Sequence, residues 1–479
     1  MRLSYQSAAV IALAATGVFA VAAPSAAAAS SGAGTAHRAA GSERSSTAVP
    51  GGTQAWIQRF GGAHLSATAS SVATSPDKAV VYVTGITRKT ATGLRNQVTV
   101  AYSAATGKQL WLERYQGQGN HPRGSLGVPS ITVSPDGATV YVAGDLAHGS
   151  GHNDYLVVAY NAATGTQRWA LSAQSFASIA NFDAVAVSPD SATVYITGTQ
   201  DSFGGSAFKS YETIALKAAT GATVWNTRTR FPPHVFHDVT SIAVSPDGST
   251  VFVGGSSGTV AYDAATGAQL WLDAYKQASD RDPVSLAGSA DSATVYVASS
   301  GSAPGSGGAH YWTAALNAST GAQLWQATYR GAGTAEHVAA TAIALSPDGS
   351  QVYVSGSATA GEYTTIDYNA ATGTQAWLQQ SPNVGGTVQT PAFLAVSPDG
   401  SEVAVTGASD QASGRFGYQT AAFDAATGAP RWSAAYQGTG EASQPAGITF
   451  SQSGAQVIVT GTSGPPSGQS VFATVAYQG

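Results

Sequence analysis

Apolar residues along this chain come in short runs rich in Val, Tyr, Ile and Thr, broken again and again by the same two polar turns. In one half of the pattern a run stops at Ser-Pro-Asp-Gly and restarts, as in Ile242-Ala243-Val244-Ser245-Pro246-Asp247-Gly248 followed by Val251-Phe252-Val253. Pro and Asp favour a type I turn, and the glycine supplies the positive φ of a bulged hairpin. In the other half a run such as Leu156-Val157-Val158-Ala159-Tyr160 leads through Ala162-Ala163-Thr164-Gly165 into a run that carries Trp169. Short β-branched and aromatic runs between turn signals predict strands, and helical periodicity is absent beyond the first residues of the chain.

The two halves alternate with a period of 44–59 residues. Eight tryptophans, Trp56, Trp111, Trp169, Trp225, Trp271, Trp325, Trp377 and Trp432, each stand four residues after a glycine. Variants of the Ser-Pro-Asp-Gly turn begin at Ser75, Ser134, Ser188, Ser245, Ser289, Ser346, Ser397 and Ser451, with Ala290 and Gln452 replacing proline in two of them. Four strands per unit at this period fit a propeller blade better than a solenoid repeat. The ends complete one another: Gly51-Gly52-Thr53-Gln54-Ala55-Trp56 is a fourth strand without its three predecessors, and Phe472–Tyr477 is a third strand without its successor. The expected fold is therefore all-β, an eight-bladed β-propeller of four-stranded antiparallel blades, closed by the N-terminal strand completing the last blade. Each tryptophan is expected to dock structurally on the neighbouring blade, its N–H reaching a backbone acceptor.

Ahead of this domain, Arg2 and the apolar stretch Ala8–Ala23, followed by small residues, have the form of a secretory signal peptide over 1–29. Residues 30–49 read as a flexible Ser/Ala/Gly linker, leaving 50–479 as a single propeller. A secreted, extracellular, monomeric protein with no membrane span is the expectation. Charged residues are only 10% of the chain and the net charge is −5, too little basic charge for phosphate neutralisation, so no nucleic acid is expected as a partner. With no cysteine, disulfides and thiolate metal sites are excluded.

Strand alternation puts both repeated turns on one face and the irregular connections on the other, where binding function usually resides. Eight of the nine histidines, all but His37, fall on the irregular face. Blade four breaks the pattern: its loop between second and third strands shrinks to about Ser256-Ser257-Gly258, which predicts a notch. The crossings beside it carry His234, His237 and Asp238, then Asp280, Arg281 and Asp282. Imidazole and carboxylate can ligate a metal or act as acid and base, and Arg281 can clamp an anion; a solvated rim with internal ion pairs is the bland alternative. His148 and His152 lie four apart on a glycine-rich loop, which fixes no ligand geometry. His310-Tyr311-Trp312 offers exposed aromatics of a kind that stack on sugars, although Tyr311 shares a recurrent packing position with Tyr155, Tyr211, Tyr363 and Tyr418. No metal site is assigned.

The segment Tyr262-Asp263-Ala264-Ala265-Thr266-Gly267-Ala268-Gln269-Leu270-Trp271 resembles the tryptophan-docking repeat of pyrroloquinoline-quinone (PQQ) propellers, the quinoprotein dehydrogenase-like family. The Ser-Pro-Asp-Gly half with Val81–Gly85 is similar to YVTN-type and lactonase-like repeats. The first resemblance implies eight blades and, in the active dehydrogenases, PQQ with a calcium ion, an acidic base and often vicinal cysteines. Those cysteines are missing, and no unit carries a recognisable calcium cluster. No cofactor is expected. The leading reading is a non-catalytic scaffold binding an extracellular glycan, peptide or protein through its loop-rich face. The alternative is an enzyme, PQQ-dependent or lactonase/lyase-like, using His234, His237 and Asp238.

Overall fold

Among the described residues thirty-two strands pair into eight four-stranded antiparallel sheets, each formed from consecutive strands except the last. The computed structural model describes residues 50–62, 64–89, 95–115, 129–148, 152–173, 179–201, 209–231, 239–274, 284–302, 309–331, 338–358, 363–381, 392–411, 415–438, 442–464 and 469–479. His234, His237, Asp238, Asp280, Arg281 and Asp282 lie outside them. Blades one to seven hold the strands within 65–115, 130–173, 179–230, 239–274, 285–329, 339–380 and 393–436. Blade eight takes its inner three strands from 442–478 and its outer strand from Gln54–Gly61, near the other end of the chain. Trp56 opposes Ala476 and Phe60 opposes Phe472, so the leading strand closes the ring.

The inner hairpin turn is stabilised by its own side chains. Ser134 Oγ donates to Asp136 Oδ1 at 2.5 Å and accepts from the Thr139 N–H at 2.9 Å, while Asp136 Oδ1 also takes the Ala138 N–H. The position after aspartate has positive φ, which glycine adopts freely, as at Gly137 (71°). Ser191 and Ser292 adopt it too, each at φ 61°. Their hydroxyls accept the N–H of Asp136 and Asp247 in the preceding blades, which offsets the strain of that conformation. Each inner turn is bonded to the outer turn of its own blade, as in Ala162 N to Ala138 O at 3.0 Å, so both repeated turns share one face.

The core is a ring of eight hydrophobic clusters, each shared by two adjacent blades. Trp111 of blade one lies against Gly165 of blade two, close enough that a Cβ on that glycine would stand 2.8 Å from the ring. Its Nε1–H donates to Ala162 O at 2.9 Å. The same carbonyl accepts Tyr82 OH, from the Val-Tyr-Val half of blade one's repeat, at 3.2 Å. Trp169 and Tyr141 meet likewise at Ala218 O, Trp225 and Tyr195 at Ala264 O, Trp325 and Tyr296 at Ala370 O, and Trp377 and Tyr353 at Ala425 O. Trp56 and Trp271 reach Ala104 O and Ala318 O without a tyrosine, because Ile458 and Phe252 stand in its place. A register shift beside each tryptophan turns the indole inward and pushes its predecessor out, which leaves Leu110, Val224, Leu270 and Leu324 exposed.

Trp432 docks where the ring closes, and there, against the expectation for all eight, its Nε1–H finds no hydrogen-bond partner among the described residues. Its ring meets Gly51 and Gly52, and that turn is held by Gly52 N to Gln478 O (2.8 Å) and Gln478 N to Thr53 O (2.9 Å). On the outer strand, Arg59 lies 5.8 Å from the Tyr436 ring of blade seven, and Arg114 of blade one lies 5.6 Å from the Phe60 ring. The closing strand is therefore gripped from both sides by cation–π contacts.

A carboxylate breaks the repeat at its most constant position. Seven blades carry alanine opposite their docking tryptophan or its equivalent; blade six carries Asp367, paired with Trp377 and Tyr353 and wholly buried. In the orientation that satisfies its neighbours, the Gln351 amide donates to Asp367 Oδ1 at 3.1 Å, while Oδ2 has no partner. Burial pushes this carboxyl up to about 7.

Two predictions follow from docking and from Asp367. Trp225→Ala removes an inter-blade anchor and lowers the unfolding free energy by about 3–5 kcal/mol. Gly267→Ala, at φ 72° with its Cβ 2.6 Å from the same ring, lowers it by about 1–3 kcal/mol. Denaturant melts of the double variant should show less than the sum of the two, because both changes break one contact. For Asp367 the native state holds the proton that the unfolded chain releases. Its contribution to stability is full below the unfolded carboxyl range near 3.8 and is lost as pH rises through about 7. Asp367→Ala should therefore stabilise the protein by about 1–3 kcal/mol above neutrality and by much less at pH 4, measured as melting temperature against pH.

Candidate functional site

The face opposite the repeated turns is where each third strand enters the core. There the blades present one large side chain apiece to the following blade: Gln97, Tyr155, Tyr211, Tyr311, Tyr363, Tyr418 and Phe472, all buried. These act as plugs for the seams. Tyr311 OH donates to Ser357 O at 3.1 Å, Tyr418 OH to Ala473 O at 3.4 Å, and Tyr363 OH to Ala408 O. Blade four departs from this series. Gly255 pairs directly with Gly258, and the turn between them places Ser257 where the other blades hold their plug. Ser257 N donates to Tyr211 OH at 3.0 Å.

The inner rim of this face is stitched by hydroxyls. Ser70, Thr240 and Thr341 sit on β-bulges of inner strands and donate to Pro129 O, Val284 O and Ala392 O at 2.7–2.8 Å. Each acceptor opens the next blade, so the crossings are anchored where they re-enter the ring. Between blades three and four the same task falls to Thr199 Oγ1, which accepts the Val239 N–H at 2.9 Å and donates to Asp183 Oδ2 at 3.2 Å. Val239 directly follows the crossing that carries His234, His237 and Asp238.

The seam between blades two and three holds a polar network. Glu212, 1% exposed, accepts Tyr155 OH at 3.0 Å, Asn226 Nδ2 at 2.8 Å and the Gln200 side-chain amide, with Arg228 at 3.8 Å. Asp145 accepts the Phe182 N–H; burial pushes its carboxyl up to about 7, against that hydrogen bond. Burial, with the charges of Glu212, Asp183 and Asp145 nearby, raises the Tyr155 phenol well above its ordinary value. Apart from Tyr155, which shares the recurrent aromatic position, these residues do not stand out in the sequence. The available signal was one acid in Tyr211-Glu212-Thr213, at a place where other third strands hold Val98, Leu156, Thr364 or Ala473. Glu212 is closed off from a substrate, so this network joins blades. Among the described residues no group of three His, Asp or Glu side chains is placed to hold a metal ion.

Three expectations for this face change. His310-Tyr311-Trp312 does not present three exposed rings, because strand pairing continues to Ala309 and alternates the side chains into two seams. His310 and Tyr311 are buried; Trp312 is half-buried, packs on the cluster between blades four and five, and donates Nε1–H to Gln326 Oε1 at 3.3 Å. His148 and His152 oppose one another at the end of a paired hairpin, where a loop was expected. The short turn of blade four is present, yet Ser256 and Ser257 are 4% and 3% exposed, so its floor is covered.

A family model described as outer membrane protein assembly factor BamB matches residues 44–312 and 284–479. Among solved structures, the C-terminal WD40 domain of Sif2 is 12% identical, with 88% of this chain and 99% of that one covered and a TM-score of 0.55. BamB from Moraxella catarrhalis is 16% identical over 89% and 99% of the two chains, TM-score 0.49. The quinohemoprotein alcohol dehydrogenase ADHIIG from Pseudomonas putida HK5 is 15% identical over 84% and 72%, TM-score 0.48. No curated protein matches.

The network of Glu212 yields a double-mutant test. Glu212→Ala strands the buried Tyr155 and Gln200 donors in the seam and should cost about 3–5 kcal/mol. Tyr155→Phe should cost about 1–2 kcal/mol alone and much less in the Glu212→Ala background. Unfolding curves of the four proteins measure the coupling.

Proposed function

We infer function from one premise: this chain belongs to the family described as outer membrane protein assembly factor BamB, whose model matches both halves of the propeller. On that premise it is a non-catalytic protein-binding scaffold, exported by its N-terminal segment, that holds a partner on its loop-rich face. The observation that carries this reading is the span of the match, which takes in the whole ring including the closing strand. An assembly factor works by presenting a shaped surface, and a ring with one uniform face and one varied face offers such a surface. The crossings around His234, His237, Asp238, Asp280, Arg281 and Asp282 are the contact segments we assign to the partner. They mix imidazole, carboxylate and guanidinium on a chain with few charges, which favours specificity in a docked complex.

The enzymatic reading is the weaker one. Calcium-assisted quinone chemistry needs several acidic or amide side chains converging on one ion, and the described residues do not assemble a group of three such acids or histidines.

Photo-crosslinking decides between the faces. A crosslinking residue at His237 or Asp280 should capture a partner protein in cells, and one at Asp136 or Thr266 on the turn face should not. Capture from the turn face alone would overturn the reading. So would a stoichiometric quinone spectrum together with dye-linked alcohol oxidation after incubation of the purified chain with PQQ and calcium.

A further inference from the structure

We propose that the loop-face end of the seam between blades four and five is a saccharide-binding groove, with Trp312 as its stacking platform. Seven blades close their forward seam with a glutamine, tyrosine or phenylalanine that is at most 3% exposed. Blade four cannot, because its hairpin is cut to a two-residue turn and the plug position is Ser257. The facing position on the next blade changes in compensation. Where other seams oppose their plug with Thr364, Gln419 or Ala473, this one has Trp312.

The exchange of large for small buries Ser257 but leaves the large side chain of the pair at the rim, where no plug tyrosine stands. Trp312 is only half-buried: its inner part packs against the cluster containing Phe252, Trp271, Val284 and Leu286, and the remainder of the indole stays accessible. Gln326 holds its N–H and so limits rotation of the ring. Trp312 is thereby set apart from the other eight tryptophans, which dock on glycine turns of neighbouring blades.

Polar groups flank this platform. Gln326 and Thr328 are exposed on blade five, and Thr328 pairs directly with Trp312. On blade four, Asp273 is half-buried and has its carboxyl raised by that burial; alternation places it on the side facing blade five, above the wholly buried Thr259 with which it pairs. A fixed flat apolar ring beside the Gln326 amide, the Thr328 hydroxyl and the Asp273 carboxyl suits a ligand with an apolar C–H face and hydroxyls around its edge. A pyranose ring has that form. An aliphatic peptide side chain would use the indole and leave the polar flank unanswered. This groove is separate from the crossings assigned above to a protein partner, and either assignment can fail without the other.

Saturation-transfer NMR on the full chain with maltoheptaose, cellopentaose and chitotetraose tests the proposal. At least one should receive saturation, and Trp312→Ala should weaken its binding by roughly tenfold or more. Because Trp312→Ala also opens part of the core, a second variant pairs Ser257→Tyr with Trp312→Thr, restoring the plug arrangement of the other seams. It should fold with a melting temperature close to the parent's and lose the saccharide signal. No transfer to any of the three sugars, or unchanged transfer to the exchanged variant, would overturn the proposal; crosslinking from His237 is expected to stay the same in both variants.

Discussion

The contact of one indole with the next blade's glycine turn organises the molecule. No blade can bury its own tryptophan; the ring needs a flat surface without a Cβ, and the N–H needs a carbonyl, and both belong to the neighbour. Tyrosine from the inner half of the repeat donates to that same carbonyl. The two halves of the sequence unit are thus joined at a single acceptor, which accounts for their appearing together. Stability is passed from neighbour to neighbour, as in other repeat architectures, except that here the last neighbour is the first. Closure therefore needs the leading strand, and Arg59, Phe60 and Trp56 tie it to three different blades.

Docking also divides the surface. The outer turn presents the glycine and the carbonyl, and the inner turn is hydrogen-bonded to it, so neither can change without loosening a seam. The opposite face has no such duty. Among the described residues its crossings are anchored where they re-enter the ring, through Ser70, Thr199, Thr240 and Thr341, and in sequence the crossings differ in length and chemistry. Regularity on one side is what makes variation on the other affordable.

Features that recur were legible in the sequence. The strands, the tryptophan spacing, the closing segment and the shared position of Tyr155, Tyr211, Tyr311, Tyr363 and Tyr418 all show as repetition, and all reflect one packing solution used many times. Features that occur once were not legible. Glu212 meets Tyr155, 57 residues away in another blade, and nothing local to either marks the pair. Asp367 looks like any polar residue in Thr364-Thr365-Ile366-Asp367-Tyr368 until the register places it opposite Trp377. The exposure expected of His310-Tyr311-Trp312 fails because the chain does not say how far a hairpin ladder extends, and the ladder decides which side chains enter a seam.

A departure from the repeat is informative in proportion to what it costs the packing around it. Replacing a plug tyrosine by Ser257 removes a large buried side chain, a change that would open a cavity if nothing answered it. It is answered by Trp312, drawn from the facing strand and held by Gln326. Asp367 has no such answer: one of its oxygens finds no donor, and alanine would serve the fold better. The first change is therefore a coordinated substitution that leaves an aromatic edge at the surface, and the second is a local cost borne by the core. Surface chemistry follows from the first kind, which is why the seam of blade four, and not the buried acids, is where the ring departs from its own symmetry to some outward effect.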